Sequence, residues 1–291
     1  MTDALTSVGR RIGIVGAGTM GIGIAEVAAR SGCQVMVVDV VPSVLHIAPD
    51  RLASSIARAA RKGLLNEPAS DVCARVTFST ELASLSDREL IHEAIREDRE
   101  AKAELITALD AIVDPRAIIA SNTSSIPIAW LARASVHPDR VLGLHFFNPV
   151  PQMPLVELIP SLLTGEPAQH TAFDYAAGTL GKTVIRAPDR SGFIVNALLV
   201  PYLLSAIRML ENGVAAREEI DAGMVSGCGM PMGPLALCDL IGLDTMLAIA
   251  ETLFVEFGDP ACVAPSLLRR HVDAGLLGRK SGRGFYDYSP A

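Results

Sequence analysis

The sequence feature that most constrains the fold lies near the amino end, where three glycines follow a short apolar stretch. Residues 10–16, RRIGIVG, have the pattern of a strand and run directly into GAGTMG, which contains Gly16, Gly18 and Gly21. The next stretch, IGIAEVAARSG, has helical periodicity, and QVMVVDV is a second strand pattern that carries Asp39 near its end. Glycines at such a turn let backbone N–H groups and a helix amino terminus approach a pyrophosphate. The spacing predicts a dinucleotide-binding unit.

Asp39 indicates which dinucleotide this unit binds. It follows the glycines by about twenty residues, where a dinucleotide fold places the acid that binds the ribose hydroxyls. Because a carboxylate repels a 2′-phosphate, NAD is expected and NADP is not. The competing interpretation is a glycine turn with a structural role alone, and the two strands, the helix and Asp39 in register argue against it. We therefore predict an α/β chain with a Rossmann-type doubly wound sheet.

Length and charge restrict the architecture and the partners. At 291 residues the chain exceeds the usual size of a single core, which predicts two domains. Its 25 Lys and Arg residues against 32 Asp and Glu residues give a net charge of -7. That sign argues against nucleic acid or an anionic membrane surface as a partner, so an anionic ligand has to be held by local positive groups.

Short patterns bear on the compartment and on metal binding. The start, MTDALTSVGRR, has no apolar core that could serve as a secretory signal, so a cytoplasmic protein is expected. The apolar run Gly192–Leu210 is interrupted by Asn196, Pro201 and Arg208, which predicts a buried helix and not a membrane span. The five cysteines form no CxxC pair and the six histidines are scattered, so reduced thiols and no metal site are expected.

Residues 42–71 predict a helical arm inserted after the second strand. Apolar and basic residues interleave in RLASSIARAARKGLL, and Arg51, Arg58, Arg61 and Lys62 give the arm a basic face in an acidic protein. Such a face is either a solvated surface or a grip for a ligand that carries phosphate.

Ser121–Ser125, SNTSS, follows a strand pattern at 117–120. Small hydroxyl and amide residues at the carboxyl end of a strand lie where open α/β sheets bind ligands. One of these serines is also expected to cap the helix that IPIAWLAR predicts.

A histidine and a glutamate stand out in the apolar stretch VLGLHFFNPVPQMPLVELI. His145 ends one strand pattern and Glu157 lies in the next, so we expect them on neighbouring strands or on the connecting turn. An imidazole exchanges protons near neutral pH, and a carboxylate fixes its tautomer and stabilises its protonated form. The alternative is a buried histidine that bonds a backbone carbonyl.

The pattern changes at Pro188 and Asp189, which predicts domains at residues 1–188 and 189–291. The second is expected to be nearly all helical. Residues 193–257 are more apolar than a domain of about a hundred residues readily buries alone, so a homodimer is expected.

The blocks SNTSS, GLHFFNPVP, LVELI, GFIVN, LLVPYL, PMGP, IGLDT and GRKSGRGFYDY follow the glycine fingerprint in that order. With them the chain resembles, from about Arg11 to Tyr288, the 3-hydroxyacyl-CoA dehydrogenase family in its short, monofunctional form. The HFFNP and GFY blocks are specific, and no hydratase region of the multifunctional form is present. The resemblance implies hydride transfer between NAD and carbon 3 of a hydroxyacyl-CoA, with short acyl groups such as 3-hydroxybutyryl expected.

The resemblance also implies roles for individual residues. His145 matches the general base that removes the proton of the 3-hydroxyl group, and Glu157 matches the residue that orients it. Ser124 and Asn196 match positions that hydrogen-bond the reacting oxygens of the substrate. Asn148 matches a position beside the histidine and the nicotinamide.

Further matches concern the cofactor and the carrier. The positions that match NAD contacts are Glu97, Lys102 and Lys280, which join Gly16, Gly18, Gly21 and Asp39. Ser55 and Lys62 match positions that hold coenzyme A, which agrees with the basic face of the arm.

The chain departs from the family pattern at three places. The family commonly has an apolar run where this chain has IHEAIREDREAK, with added charges such as His92 and Arg96, so NAD contacts there are expected to differ. Ala197 stands where an arginine is frequent, and Met230 where a histidine is frequent. None of these changes touches His145 or Glu157.

Three other functions compete with this one. A dehydrogenase acting on hydroxyacyl groups of acyl carrier protein, as in polyketide extender-unit pathways, keeps the chemistry, and Ser55 and Lys62 favour coenzyme A over it. A non-catalytic binding or structural relative would have lost part of the constellation that this chain retains. A 6-phosphogluconate-type dehydrogenase needs a lysine in the first long helix of the second domain, and Gly192–Leu210 contains none.

Overall fold

The computed structural model describes residues 11–289. Within them the chain forms two compact units that divide between Asp189 and Arg190. Residues 1–10, on which the expected absence of a secretory signal rests, and residues 290–291 lie outside the described part. No helix among the described residues is long and apolar enough to span a membrane.

Unit 1, which ends at Asp189, is built on one sheet whose described part has eight strands. The strands are β1 Arg11–Val15, β2 Gln34–Val38, β3 Val76–Ser79, β4 Leu90–Glu93, β5 Ile118–Ser121, β6 Val141–Phe146, β7 Leu155–Ile159 and β8 Thr183–Arg186. They lie in the order β3-β2-β1-β4-β5-β6-β7-β8. The first six are mutually parallel, β7 is antiparallel to β6, and β8 is parallel to β7. The strand order reverses between β1 and β4, and open sheets of this kind bind ligands beyond the carboxyl ends of the strands at that point.

Six helices accompany the sheet in the described part of unit 1. They are α1 Thr19–Arg30, α2 Pro42–Arg61, α3 Ala69–Ala74, α4 Arg99–Asp110, α5 Ile128–Ala132 and α6 Glu166–Phe173, and α6 continues into a π-helical turn at Asp174–Thr179. The arm predicted over 42–71 consists of α2, a loop and the start of α3. Pro49 lies inside α2.

The central strands β1, β4, β5 and β6 are almost fully buried, as expected where helices cover both faces of a parallel sheet, whereas the edge strands β3 and β8 are largely exposed or half-buried. Ile12 and Ile14 of β1 and Val35 and Val37 of β2 are at most 1% exposed and belong to one core with α1. The Rossmann-type sheet predicted from the sequence is confirmed.

Unit 2, which begins at Arg190, is mostly helical, as predicted. Its helices in the described residues are α7 Val195–Glu211, α8 Arg217–Cys228, α9 Pro234–Ile241, α10 Leu243–Phe257 and α11 Ser266–Asp273. They enclose a second apolar core that includes Leu203, Leu235 and Met246.

Two buried aspartates explain the PMGP and GFY blocks. The carboxylate of Asp221 accepts the N–H groups of Leu235 and Ala236 at the amino end of α9, at 2.8 and 3.0 Å. The carboxylate of Asp239 accepts the N–H groups of Phe285 and Tyr286, both at 2.9 Å. The two carboxylates therefore hold the backbone directly after the PMGP block and within the GFY block.

Candidate active site

The three glycines of the fingerprint form the turn between β1 and α1. Gly16 has φ +105°, and a Cβ there would lie 2.4 Å from the carbonyl oxygen of Ala94. A Cβ on Gly21 would lie 1.8 Å from the carbonyl oxygen of Gly16, so the turn closes tightly only with glycine. A Cβ on Gly18 would meet nothing within 4 Å, and α1 begins one residue later. The open side of the turn at a helix amino terminus fits a pyrophosphate.

Asp39 follows β2 and lies at the glycine turn. Its Oδ2 accepts the N–H of Ala17 at 2.8 Å, and its Oδ1 accepts the N–H of Val41 at 3.0 Å. The structure thus brings the predicted acid to the predicted glycines, and the set fits a dinucleotide with free ribose hydroxyls.

His145 and Glu157 are direct neighbours in the antiparallel register of β6 and β7. Nδ1 of His145 lies 2.8 Å from Oε2 of Glu157, and the two residues are 4% and 0% exposed. A carboxylate accepts hydrogen bonds, so Nδ1 carries the hydrogen of the neutral imidazole and Nε2 presents its lone pair. This arrangement produces an oriented base with a buried counter-charge.

Ser124 lies beside that base. Its Oγ is 2.9 Å from Nε2 of His145, and it belongs to the loop that leaves the carboxyl end of β5. Inside the loop, the Thr123 hydroxyl accepts the N–H groups of Ser125 and Ile126 at 3.2 and 2.9 Å. The loop is therefore a turn closed by its own side chains.

The expectation that one of the loop serines caps the following helix is wrong. The first N–H groups of α5, those of Ile128 and Ala129, are accepted by the carboxylate of Asp189 at 2.6 and 2.7 Å. A carboxylate sixty residues later therefore takes the place of the serine hydroxyl at this end of the helix.

Glu97 binds the SNTSS loop through several hydrogen bonds. Its Oε1 accepts the Thr123 hydroxyl at 2.6 Å, the Ser124 N–H at 3.0 Å and the Ser125 hydroxyl at 2.9 Å. Burial opposes the charge on Glu97, but the ammonium group of Lys102 and these hydrogen bonds outweigh it and lower the pKa of Glu97 below its usual value. Glu97 is ionised at neutral pH.

Lys102 is buried beside Glu93 and Glu97, with 1% of its side chain exposed. Its Nζ is 2.6 Å from Oε1 of Glu93 and 3.4 Å from Oε2 of Glu97. Sequence reasoning missed Glu93, although a glutamate inside the apolar strand pattern LIHEAI was a signal that could have drawn attention to it.

The β6–β7 loop is held by a residue that sequence reasoning also missed. Nζ of Lys182 donates to the carbonyl oxygens of Val150 and Met153, at 2.7 Å each. Burial and the nearby guanidinium of Arg30 lower the pKa of this amine. The same loop carries Asn148, which is exposed and precedes a cis proline bond.

The remaining predicted residues lie on the arm and in unit 2. Ser55 is half-buried on α2, and Lys62 is exposed directly after it. Asn196 is the second residue of α7. The Nζ of Lys280 lies 2.6 Å from Oδ2 of Asp244 at the start of α10.

Comparison with known proteins gives a consistent result. The family model for the NAD binding domain of 3-hydroxyacyl-CoA dehydrogenase matches residues 11–190, and the model for the C-terminal domain of the same enzymes matches residues 192–288. A 3-hydroxybutyryl-CoA dehydrogenase of Mycobacterium tuberculosis is 52% identical over 99% of this chain and 100% of its own. A probable 3-hydroxybutyryl-CoA dehydrogenase of Bacillus subtilis is 45% identical over 96% of this chain and 97% of its own.

Solved structures agree with the sequence comparison. The crystal structure of (S)-3-hydroxybutyryl-CoA dehydrogenase from Ralstonia eutropha superposes with a TM-score of 0.90, at 45% identity, over 97% of this chain and 100% of its own. The crystal structure of FadB2 from M. tuberculosis superposes with a TM-score of 0.95, at 51% identity, over the same shares of the two chains.

Proposed function

The chain belongs to the 3-hydroxyacyl-CoA dehydrogenase family, and we propose that it uses His145 as acid and base on short-chain substrates such as 3-hydroxybutyryl-CoA. It is an NAD-dependent oxidoreductase that interconverts 3-hydroxyacyl-CoA and 3-oxoacyl-CoA. The observation that carries the proposed mechanism is the contact of 2.8 Å between Nδ1 of His145 and Glu157, which leaves Nε2 as the base.

The proton of the 3-hydroxyl group goes to Nε2 of His145 during oxidation. The imidazolium that forms is buried, and the charge of Glu157 stabilises it at the moment when the oxygen of the substrate needs to lose its proton. In the reverse direction the same Nε2–H returns the proton to the oxygen of the 3-oxo group.

Ser124 orients the reacting oxygen. Its hydroxyl lies 2.9 Å from Nε2 of His145, so an oxygen that approaches Nε2 also comes within reach of Oγ of Ser124. The glycine turn and Asp39 would hold NAD, whose nicotinamide would accept the hydride that leaves carbon 3 during oxidation. We assign Asn196 to the substrate oxygens with Ser124, and Asn148 to the nicotinamide end of the site.

The remaining proposed contacts follow the family pattern. Glu97, Lys102 and Lys280 are assigned to the NAD site, and Ser55 and Lys62 to coenzyme A. The exposure of Lys62 and of Arg51, Arg58 and Arg61 supports the carrier site, because an exposed basic face in a chain with a net charge of -7 suits the phosphates of coenzyme A.

We further propose a division of labour between domains 1–188 and 189–291, with the second serving substrate binding and homodimerisation. Exposed apolar residues on its helices, among them Leu198, Val255 and Met209, support a protein interface. A cytoplasmic location is proposed as well, and the five free cysteines are consistent with a reducing compartment.

His145→Gln tests the proposed mechanism. The variant should lower kcat by about 10²- to 10⁴-fold, while NAD affinity and the melting temperature stay close to those of the wild type. Glu157→Gln keeps the shape and a hydrogen-bonding group but removes the charge, so its defect should also fall mainly on kcat.

The double variant, His145→Gln with Glu157→Gln, shows whether the two residues act together in catalysis or only pack against each other. It should be little worse than the worse single variant, because two residues that act as one unit cannot be lost twice. If both single variants lower the melting temperature and retain turnover, His145 is a core residue and the proposal is wrong.

A further inference from the structure

We propose that Glu93, a fully buried residue that does not reach the site, is a positioning residue that sets Ser124 against His145. The inference rests on the proposed role of Ser124 in the reaction. It follows from a continuous series of polar contacts that crosses the carboxyl ends of neighbouring strands and ends at Nε2 of His145.

The series begins where β4 and β5 end side by side. Glu93 and Ser121 are the last residues of these strands and are partners in their register. Both are 0% exposed, and the Ser121 hydroxyl donates to Oε2 of Glu93 at 2.5 Å. The first residue of the SNTSS loop is thereby tied to the neighbouring strand before the loop begins.

The other oxygen of Glu93 places Lys102. Oε1 accepts from Nζ of Lys102 at 2.6 Å and from the N–H of Ile95 at 2.9 Å. The same Nζ lies 3.4 Å from Oε2 of Glu97. A buried ammonium needs this compensation, so the position of Lys102, and through it that of Glu97, depends on the charge of Glu93.

Glu97 completes the series. Its Oε1 accepts the N–H of Ser124 and the side-chain hydroxyls of Thr123 and Ser125, which fixes the turn. Ser124 then places its Oγ 2.9 Å from Nε2 of His145. Glu93 therefore holds the loop at two points, directly through Ser121 and indirectly through Lys102 and Glu97.

A buried glutamate with a purely structural role would not need a series of hydrogen bonds that reaches the SNTSS loop. Glu26 on α1 shows the contrast, because it is equally buried at 1% exposure and has an arginine partner, Arg30 at 3.4 Å. The guanidinium of Arg30 also donates to the carbonyl oxygen of Leu64 on the arm, so this pair leads away from the SNTSS loop. Loss of either charge should disturb packing, and loss of the charge on Glu93 should also displace Ser124.

The test is a double-mutant cycle with Glu93→Gln and Ser124→Ala. Glu93→Gln should lower kcat/KM for 3-hydroxybutyryl-CoA by about tenfold to a hundredfold, since a misplacement of about 1 Å costs that much. In the Ser124→Ala background the same replacement should cost less than about twofold, because the group that Glu93 positions is already gone. Ser121→Ala, which removes only one hydroxyl, should reproduce part of the defect if Glu93→Gln folds poorly.

Glu26→Gln is the matched control. It makes the same chemical change at an equally buried glutamate, so it should change the melting temperature to a similar degree and leave kcat/KM within about twofold of the wild type. Because Lys102 and Glu97 are assigned to the NAD site, kcat/KM is measured at saturating NAD. NAD affinity, measured by fluorescence titration, should stay close to that of the wild type in Ser124→Ala and Glu26→Gln.

Two results would overturn the inference. One is a full loss from Glu93→Gln in the Ser124→Ala background. The other is a defect that appears only as weaker NAD binding and disappears at saturating NAD, which would mean that Glu93 acts on the cofactor, through Lys102 or the backbone of Ile95, and not through Ser124. If Ser124→Ala alone retains full activity, the proposed role of Ser124 fails instead, and the two failures are distinguishable.

Discussion

His92 should make unit 1 sensitive to acid, and its replacement by phenylalanine should remove that sensitivity. The residue lies on β4 and is 0% exposed, with Nε2 3.1 Å from the hydroxyl of Tyr175 and its ring edge-on to Phe146 at 5.4 Å. Within residues 11–289, its Nδ1 has no hydrogen-bond partner. Burial lowers the pKa of His92 to about 3, because a buried imidazolium would lack compensation.

The direction in which stability changes with pH follows from the different pKa of His92 in the folded and the unfolded protein. The folded protein holds His92 neutral down to about pH 3, whereas an unfolded chain protonates a histidine near pH 6.5. The unfolded state therefore binds the proton first, and stability is lost as the pH falls below about 6.5. One proton taken up in this way removes about 2 kcal/mol between pH 7 and pH 5.

The assay is urea unfolding followed by the fluorescence of Trp130, the single tryptophan of the chain, which lies on α5 of unit 1. The free energy of unfolding of His92→Phe, minus that of the wild type, should rise by about 2 kcal/mol from pH 7 to pH 5. Groups common to both proteins cancel in this difference.

Two controls complete the experiment. His92→Phe combined with Tyr175→Phe removes the hydroxyl that the single variant leaves without its partner, and it should show the same change with pH. His46→Gln removes an exposed histidine and shows what part of the change comes from the loss of any imidazole. A difference between wild type and His92→Phe that stays constant within about 0.5 kcal/mol from pH 7 to pH 5 would refute the reasoning.

Three further predictions concern the cofactor, the carrier and the assembly. Asp39→Ser should raise KM for NAD by about tenfold to a hundredfold and weaken discrimination against NADP, because the carboxylate holds the turn at Ala17 and repels a 2′-phosphate; a wild type that prefers NADP would contradict this. Lys62→Met should raise KM for an acyl-CoA more than it raises KM for the same acyl group on a truncated thioester that lacks the nucleotide. Equal effects on the two KM values would mean that the arm does not bind coenzyme A and is only a solvated helix. The full chain should be a dimer by light scattering at micromolar concentration, and a monomer there would exclude the proposed role of unit 2.

The sheet, and the glycine turn with Asp39 beside it, could be predicted because their signals are local. The glycines, the strands around them and Asp39 lie within thirty residues, and each has a steric or electrostatic reason that holds in any chain with this pattern. The residues of the fingerprint meet in the structure as the spacing predicts. Oδ2 of Asp39 accepts the backbone N–H of Ala17 at 2.8 Å.

Contacts that join distant segments could not be predicted in the same way. The sequence placed His145 and Glu157 on neighbouring strands or on their turn, but it did not fix the register of β6 and β7, which depends on side-chain packing across the pair. The cap of α5 was misassigned for a similar reason, since the local serine was expected where Asp189 supplies the carboxylate. The contacts of Glu93 could not be predicted, because its partners Lys102 and Ser121 become its neighbours only when the strands align.

The direct pairing of His145 with Glu157 has a consequence for how this enzyme can diversify. Because the two strands set the pairing, a change in the length of the loop between them leaves His145 beside Glu157, provided that both strands keep their alignment. A single residue inserted within β7 before Glu157 would instead turn the carboxylate to the opposite face of the sheet. An insertion within β6 or β7 would therefore disrupt the proposed catalytic pair, whereas a change of length near the exposed Gln152, away from Asn148 and the buried Val150, would leave the pair aligned.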